Sequence, residues 1–381
     1  MTHHKKQFFV FLLIFLLIIP LLTSAEQAVT LPETSANLLF AGDVMCLAAQ
    51  LSAAKMGDGW DFDYTLSKIA PFLKGADFSV GNLETPIAGA EHGVTAFDQE
   101  GSPILNAPTS FARMLSLSGF DMLVTANNHT FDMGDYGVNN TIRLLNERGI
   151  YHTGTYTSPY MQENTPVVRV NDIAIGVLAY SQYINQDAAR YRASNNQYKL
   201  NLLEIEKVRE DIIELRARGA EFIVVYAHWG IENTHALSDF QREMAVELAA
   251  AGADAIIGSH PHAVQAVDFV TTSQNGKEKE VLVAYSLGNL VSSMPRDMNN
   301  DSMLLNLYIE RDGAGQVSLK EATYLCTSTR SVGGKSYGVV PSRLAKKEGY
   351  DAASLQASID RTCYAVGSKI KEVDTFPYWE D

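Results

Sequence analysis

Eight side chains hold most of the chemistry this sequence offers: Asp43, Asn82, Glu84, Asn128, His129, His228, His260 and His262. Carboxylate and amide oxygens together with imidazole nitrogens form a donor set for divalent cations, and a cation held that way polarises phosphoryl or carbonyl oxygens. His260 and His262 flank Pro261, and that spacing predicts extended backbone with both rings projecting to one side. Asn127, Glu232 and Asn289 join the set as candidate lining residues. Each residue taken alone has an ordinary explanation. Asp43 after Gly42, and Asn127 with Asn128, suit turns or helix N-caps; Glu84 suits a helix start, and Glu232 a solvated surface. His228, between an apolar run and Trp229-Gly230, suits a hydrogen-bonded core histidine.

Position favours the joint reading. Six short apolar runs end in polar residues of this kind. Leu38 to Phe40 leads to Gly42-Asp43, Phe78 to Val80 leads to Gly81-Asn82-Leu83-Glu84, and Met122 to Val124 leads to Asn127-Asn128-His129. Further on, Phe222 to Ala227 leads to His228, Ala255 to Ile257 leads to Gly258-Ser259-His260-Pro261-His262, and Val281 to Tyr285 leads to Ser286-Leu287-Gly288-Asn289. Helical stretches lie between some of them. From Leu202 to Arg218, Ile205, Val208, Ile212 and Leu215 share a face; Asn201 and Glu204 read as a capping box and Gly219 as the stop. From Phe240 to Ala251, Met244, Leu248 and Ala249 cluster before Gly252. Strands alternating with helices predict an α/β protein, and in such sheets ligands collect at the carboxyl ends of the strands. The six runs therefore predict one shared edge and one shared site. Later segments read as strands at Met303 to Ile309 and Val317 to Tyr324, a loop at Ser331 to Tyr337, and a helix within Ser354 to Ile370.

A chain of 381 residues, 46% of them hydrophobic, buries a large core, and its net charge of -14 argues against a nucleic-acid surface. Lys5 and Lys6 precede an unbroken apolar run from Phe8 to Leu22, which reads as an export signal. Thr23 and Ala25 offer small residues for cleavage, while the run is nearly long enough to stay as a membrane anchor; either outcome predicts an extracytoplasmic body. Residues 1–25 are thus a signal peptide or anchor, 26–36 a linker, 37–330 the main domain and 331–381 a C-terminal extension packing on it. Cys46, Cys326 and Cys363 are too few for a disulfide scaffold, although Cys326 with Cys363 would suit a bridge in an oxidising compartment.

Six segments in order carry a resemblance to a known family. They are Ala41-Gly42-Asp43-Val44-Met45, Gly81-Asn82-Leu83-Glu84-Thr85-Pro86, Ala126-Asn127-Asn128-His129, Ala227-His228-Trp229-Gly230 with Glu232, Ala251-Gly252-Ala253-Asp254 running into Gly258-Ser259-His260-Pro261-His262, and Tyr285-Ser286-Leu287-Gly288-Asn289. This series resembles the CapA-type capsule, or poly-γ-glutamate, biosynthesis proteins over roughly residues 37 to 293. The resemblance implies a calcineurin-like metallophosphoesterase sandwich, with two central β-sheets flanked by helices. It also implies a role in making or exporting an anionic capsule polymer beside membrane-embedded synthesis proteins. The sequence departs from active metallophosphoesterases at two places. Asp43 is followed by Val44-Met45 where those enzymes have Asp-x-His, and Gly81-Asn82 stands where they have Gly-Asp. Glu84 is the candidate to replace that lost carboxylate. On the resemblance, Asp43, Glu84 and His262 hold one divalent ion and Asn128, His228 and His260 a second, of Mn, Fe or Zn type, with His129 as the acid. The alternatives are a metal-dependent phosphoesterase or polymer hydrolase, and a binding module without chemistry.

Overall fold

Apolar residues fill both faces of the strand β1, Thr34–Val44: Leu38 and Phe40 point into one core, Leu39 and Ala41 into another. This is the two-residue period of a strand, and a strand apolar on both sides belongs inside a sheet covered on each face. The computed structural model describes residues 33–376 apart from residues 187 and 275. The expected export signal and most of the expected linker lie outside the described residues. Thr34 to Ala36, expected as linker, already belong to β1.

Parallel to one another from β1 onward run β2 (Phe78–Leu83), β3 (Met122–Val124) and β4 (Tyr151–Thr153). The chain then builds a second sheet from β5 (Val167–Val170), β6 (Ile173–Ser181), β7 (Phe222–His228), β8 (Ala255–Ser259), β9 (Val267–Gln274) and β10 (Lys277–Ala284). Their order is β9-β10-β8-β7-β6-β5, with β6, β7, β8 and β10 mutually parallel. It returns to the first sheet as β11 (Asn289–Val291), β12 (Asp301–Arg311), β13 (Val317–Val332), β14 (Lys335–Pro341) and β15 (Lys371–Glu372). That sheet runs β14-β13-β12-β1-β2-β3-β4, with β11 beside β1 and β15 beside β13.

Among the helices that cover the sheets or stand against them are α1 (Ala70–Gly75), α2 (Thr109–Ser118), α3 (Gly134–Glu147), α4 (Ile205–Ala217), α5 (Asp239–Ala251) and α6 (Ala352–Val366). Phe40, Val80 and Met122 of the first sheet meet Val177, Val224 and Ile257 of the second in the central core. Outside the first sheet, Leu39 and Leu123 pack with Phe72 of α1 and Phe111 of α2. Outside the second, Val225 and Ile256 pack with Ile212 of α4 and Leu248 of α5. The molecule is therefore a sandwich of two sheets flanked by helices, as expected. Each fully buried Leu, Ile or Phe contributes about 1.5–3 kcal/mol to holding the layers together.

Two local expectations are corrected. The capping box of Asn201 and Glu204 does not form: α4 starts at Ile205 and no side chain caps it. Leu202 instead bridges Ser181 and Leu203 donates its N–H to Ser181 O at 2.8 Å, so this stretch is held extended beside β6. Asn201 turns inward, its Nδ2 donating to Ala179 O at 3.2 Å. The predicted loop at 331–337 narrows to a hairpin turn, because Gly333 and Gly334 take φ of 59° and 80°, the left-handed pair a two-residue turn needs. In the C-terminal segment β14 extends the first sheet, and Ile359 and Val366 of α6 pack into the central core.

At the end of β1 away from Asp43, Arg311 pairs in register with Thr34 and joins the sheets. Its Nε donates to Glu221 Oε1 at 2.9 Å and its Nη2 to Glu221 Oε2 at 2.7 Å and to Asp172 O at 2.6 Å, with Arg311 buried. Burial resists ionisation of Glu221, but hydrogen bonds from Arg311 and Ala174 N–H overcome it and hold the carboxyl below the usual glutamate value. A lowered value means stability present above the ordinary glutamate range and lost as pH falls through the lowered one. Arg311→Met is expected to cost about 2–3 kcal/mol at pH 7. Urea unfolding at pH 7 and pH 3 checks this: the gap to the parent chain should narrow at pH 3, and a constant gap would show that Glu221 is not the partner that matters.

Candidate metal centre

The parallel strands of both sheets bring their carboxyl ends to one edge. Asp43 is the penultimate residue of β1, in register with Asn82 of β2 on one side and Asn289 of β11 on the other. Gly42 permits this crowding, since a Cβ there would lie 1.9 Å from Gly288 O. Glu84 comes directly after β2 and donates its N–H to Val44 O at 3.2 Å. The turn after β3 carries Asn127, Asn128 and His129. His228 closes β7 in register with Ser259, the last residue of β8. His260 and His262 do not continue as extended strand, as the sequence suggested: their φ values are 93° and 55°, in the left-handed region. Such backbone costs on the order of 1–3 kcal/mol per non-glycine residue. The turn still converges both rings on the site, with centroids 5.9 Å apart.

Glu84 stands at the centre. Its carboxylate forms one donor group with His228 and His260 and another with Asp43 and His262, the ligand atoms of each group within 4.8 Å of one another. His228 Nε2 lies 3.8 Å and His262 Nε2 3.6 Å from Glu84 Oε1, and His262 Nδ1 lies 3.4 Å from Asp43 Oδ2. His260 Nδ1 is 3.1 Å from His228 Nε2, which also meets Asn128 Oδ1 at 2.9 Å. Asn289 Oδ1 takes His262 Nδ1 at 2.9 Å, and the exposed Glu232 groups with His260 and His262 at the rim. Asn82 donates Nδ2 to Asp43 Oδ1 at 2.8 Å, which orients that carboxylate. Asn127 is turned away from the donors: its Nδ2 donates to Leu83 O at 2.9 Å and its Oδ1 accepts from His129 N at 3.1 Å, fixing the turn.

Neither oxygen of the fully buried Glu84 has a hydrogen-bond partner, and the buried Oδ1 of Asn82 has none. A buried carboxylate left so bare costs several kcal/mol unless a positive charge meets it. The residues present thus fit a divalent cation, by an orphaned acceptor and by a mixed oxygen and nitrogen donor set. Glu84 is the one carboxylate common to these two groups, so it would serve a cation held at either, a role for which the neutral amide of Asn82 is poorly suited.

Burial dominates the electrostatics. It pushes His228 well below the usual imidazole value and His260 down to about 3, helped in both by neighbouring imidazoles. Burial also raises Glu84 well above the carboxylate range, against the pull of His262. His262 resists charging through burial as well, yet the carboxylates of Glu84 and Asp43 outweigh this and raise it to about 10. The Glu84–His262 pair therefore keeps a proton at neutral pH, one that a cation held there would have to displace.

His129 stands beside the donors. Its Nδ1 lies 2.6 Å from Asp132 Oδ2 and 3.2 Å from Asn185 Nδ2, which leaves Nε2 as the nitrogen able to exchange a proton. Asp132, Asn185, Tyr183 and Ser259 escaped the sequence reading. Ser259 Oγ holds His228 Nδ1 at 2.9 Å, and the Tyr183 ring packs on His260 with centroids 4.8 Å apart. Tyr183 and Asn185 come after β6, a seventh apolar run ending in polar residues, so the same signal marks them. Asp132 stands three residues after His129, the local spacing of an imidazole and its carboxylate.

Fold and site together define an α/β sandwich with a buried acid and imidazole cluster at its strand ends. Residues 37–294 match the model of the family described as Bacterial capsule synthesis protein PGA_cap, and the chain belongs to that family. Among its relatives, the capsule biosynthesis protein CapA of Bacillus anthracis is 27% identical over 255 residues, covering 66% of this chain and 59% of that protein. The PGA biosynthesis protein CapA of Bacillus subtilis (strain 168) is 25% identical over 291 residues, covering 74% and 72%. The chain thus spans less than two thirds of the first relative's length. Among solved structures, the calcineurin-like phosphoesterase YfkN of Bacillus subtilis aligns with a TM-score of 0.45 at 15% identity, covering 87% of this chain and 97% of that one. The NAD nucleotidase of Haemophilus influenzae aligns with a TM-score of 0.45 at 12% identity, covering 91% and 65%.

Proposed function

We propose that this protein is an extracytoplasmic component of capsule polymer production or export whose strand-end cluster holds one or two divalent cations, of Mn, Fe or Zn type, and engages an anionic polymer. Family membership supports the capsule role, and the name of the Bacillus subtilis relative, a PGA biosynthesis protein, supports poly-γ-glutamate as the polymer. Glu84 carries the metal reading: a fully buried carboxylate without a hydrogen bond, ringed by Asp43, His228, His260 and His262. Asp43, Glu84 and His262 would hold one cation and Asn128, His228 and His260 a second that Glu84 also reaches, while Asn289 and Ser259 orient His262 and His228 through Nδ1. When bound, a divalent cation supplies positive charge that attracts and polarises carboxylate or phosphate oxygens. The apolar run from Phe8 to Leu22 supports export and work beside membrane-embedded capsule synthesis proteins. Among the described residues, no helix is long and apolar enough to cross a membrane. The test is complementation of a deletion strain. Glu84→Gln and His260→Ala should leave surface polymer at the level of the deletion, and full restoration by both would defeat the proposal.

A second reading, metal-dependent hydrolysis of a phosphoester or of the polymer, is favoured by one observation: Asp132 holds His129 at Nδ1 and leaves Nε2 to protonate a leaving oxygen. His129→Ala should then keep the metal content of the parent protein while turnover of a generic phosphodiester or of poly-γ-glutamate drops about 10²–10⁴-fold. Metal analysis and turnover on one preparation check both halves, and unchanged turnover would remove His129 from the chemistry.

A further inference from the structure

Away from the strand-end site, three elements of the C-terminal part bring two thiols together. Cys326 on β13 is buried, Cys363 in the last turn of α6 is partly accessible, and Glu372 on β15 lies beside both. The two sulfurs and a Glu372 carboxylate oxygen lie within 4.8 Å of one another, with Cys363 Sγ 3.3 Å from Glu372 Oε2. We propose that Cys326 and Cys363 close into a reversible disulfide, formed by thiol–disulfide exchange, that fastens α6 to the first sheet.

The surroundings favour this chemistry over a metal site. Both oxygens of Glu372 are engaged by the Arg343 guanidinium, Oε1 accepting from Nε at 2.7 Å and Oε2 pairing with Nη2. That leaves two thiols, which is too few donors for a closed thiolate site. The thiols are also unequal in a useful way. A hydrogen bond from Cys326 is the main influence lowering the thiol of Cys363, whereas Cys326 is raised by that same bond and by burial. The accessible partner is therefore the nucleophile and the buried one the resolving thiol. Glutathione disulfide, or the active disulfide of an oxidoreductase, serves as oxidant. Cys363 thiolate attacks one of its sulfurs and releases the first thiolate. The Cys326 sulfur, its proton passing to Glu372 or to solvent, then attacks Cys363 Sγ of the mixed disulfide and releases the second. The two protons lost from the cysteines end on the two released thiols, and two electrons pass to the oxidant.

Cys46 is an internal control, since it is buried and its thiol is raised by burial alone. The test equilibrates the purified chain with glutathione disulfide or with dithiothreitol, then counts thiols after denaturation and maps peptides by mass. The expected results are one free thiol in the oxidised form, a peptide joining Cys326 to Cys363, and a melting temperature roughly 5 °C higher than in the reduced form. Cys326→Ser and Cys363→Ser should each abolish the temperature shift, while Cys46→Ala keeps it. Three thiols surviving equilibration would overturn the proposal, as would a glutathione adduct on Cys363 that never resolves. So would zinc that protects both thiols from reaction, the mark of a metal site.

Discussion

Glu84→Gln should make the metal-stripped protein more stable and leave it indifferent to added divalent cations. In the parent chain the carboxylate is fully buried with both oxygens unpaired, and the opposing charge on His262 is its one local compensation. An amide has the same shape without the charge, and Asp43 remains to pair with His262, so the substitution relieves about 1–3 kcal/mol of incompletely compensated burial. The same change removes the donor common to both candidate groups. A ligand present at a hundred times its Kd stabilises a fold by about 2.7 kcal/mol, and the variant should forfeit all of that. Thermal unfolding with chelator and with Mn2+ gives both values, and the two curves should cross over between parent and variant. A stripped variant less stable than the parent would mean that Glu84 is already satisfied by protein groups. The parent's affinity should also weaken as pH falls, by about tenfold per pH unit for one displaced proton, because the Glu84–His262 pair is where that proton sits.

The second large effect belongs to the two glycines beside the donors. In Gly42→Ala the new methyl would lie 1.9 Å from Gly288 O, and in Gly258→Ala 1.9 Å from Tyr285 O and 2.6 Å from Trp229 Nε1. Both obstacles include backbone atoms, so no rotamer change relieves them. Asp43 N donates to Gly288 O at 3.0 Å, and Trp229 Nε1 to Tyr285 O at 2.9 Å, contacts that depend on this close approach. Each substitution is expected to cost on the order of 4 kcal/mol or more, enough to cut soluble yield sharply. Gly315→Ala is the matching control, with open space around it, although its φ of 81° imposes a smaller strain. Comparable unfolding midpoints for Gly258→Ala and Gly315→Ala would show that the strands can part at little cost. The site would then lack the rigid support assumed for it.

Much of this arrangement was legible in the sequence because strand-end chemistry obeys a rule of position. Apolar runs such as Leu38 to Phe40 and Ala255 to Ile257 become central strands, and the residues just after each parallel strand lie at the common edge. By that rule Asp43, Glu84, His228, His260 and His262 belong at one edge, where their donor atoms converge. It fails for details that depend on tertiary choice. The backbone at His260 and His262 is left-handed, a conformation that local propensity opposes and that Asp43 supports by accepting the His260 N–H at 3.3 Å. The stretch before α4 matched a capping pattern, but pairing with Ser181 won over helix propensity. Asp132 was hidden because a carboxylate beside a histidine has no apolar run to announce it.

Whether the strand ends hold a cation is decided by diffraction from a crystal grown with Mn2+, with anomalous maps at the manganese edge. One or two peaks are expected between Glu84 and the side chains of Asp43, His228, His260 and His262, at distances of roughly 2.0–2.3 Å from their donor atoms. The absence of any peak in that cluster, with the five side chains unmoved and the protein free of stoichiometric metal, would refute the metal centre.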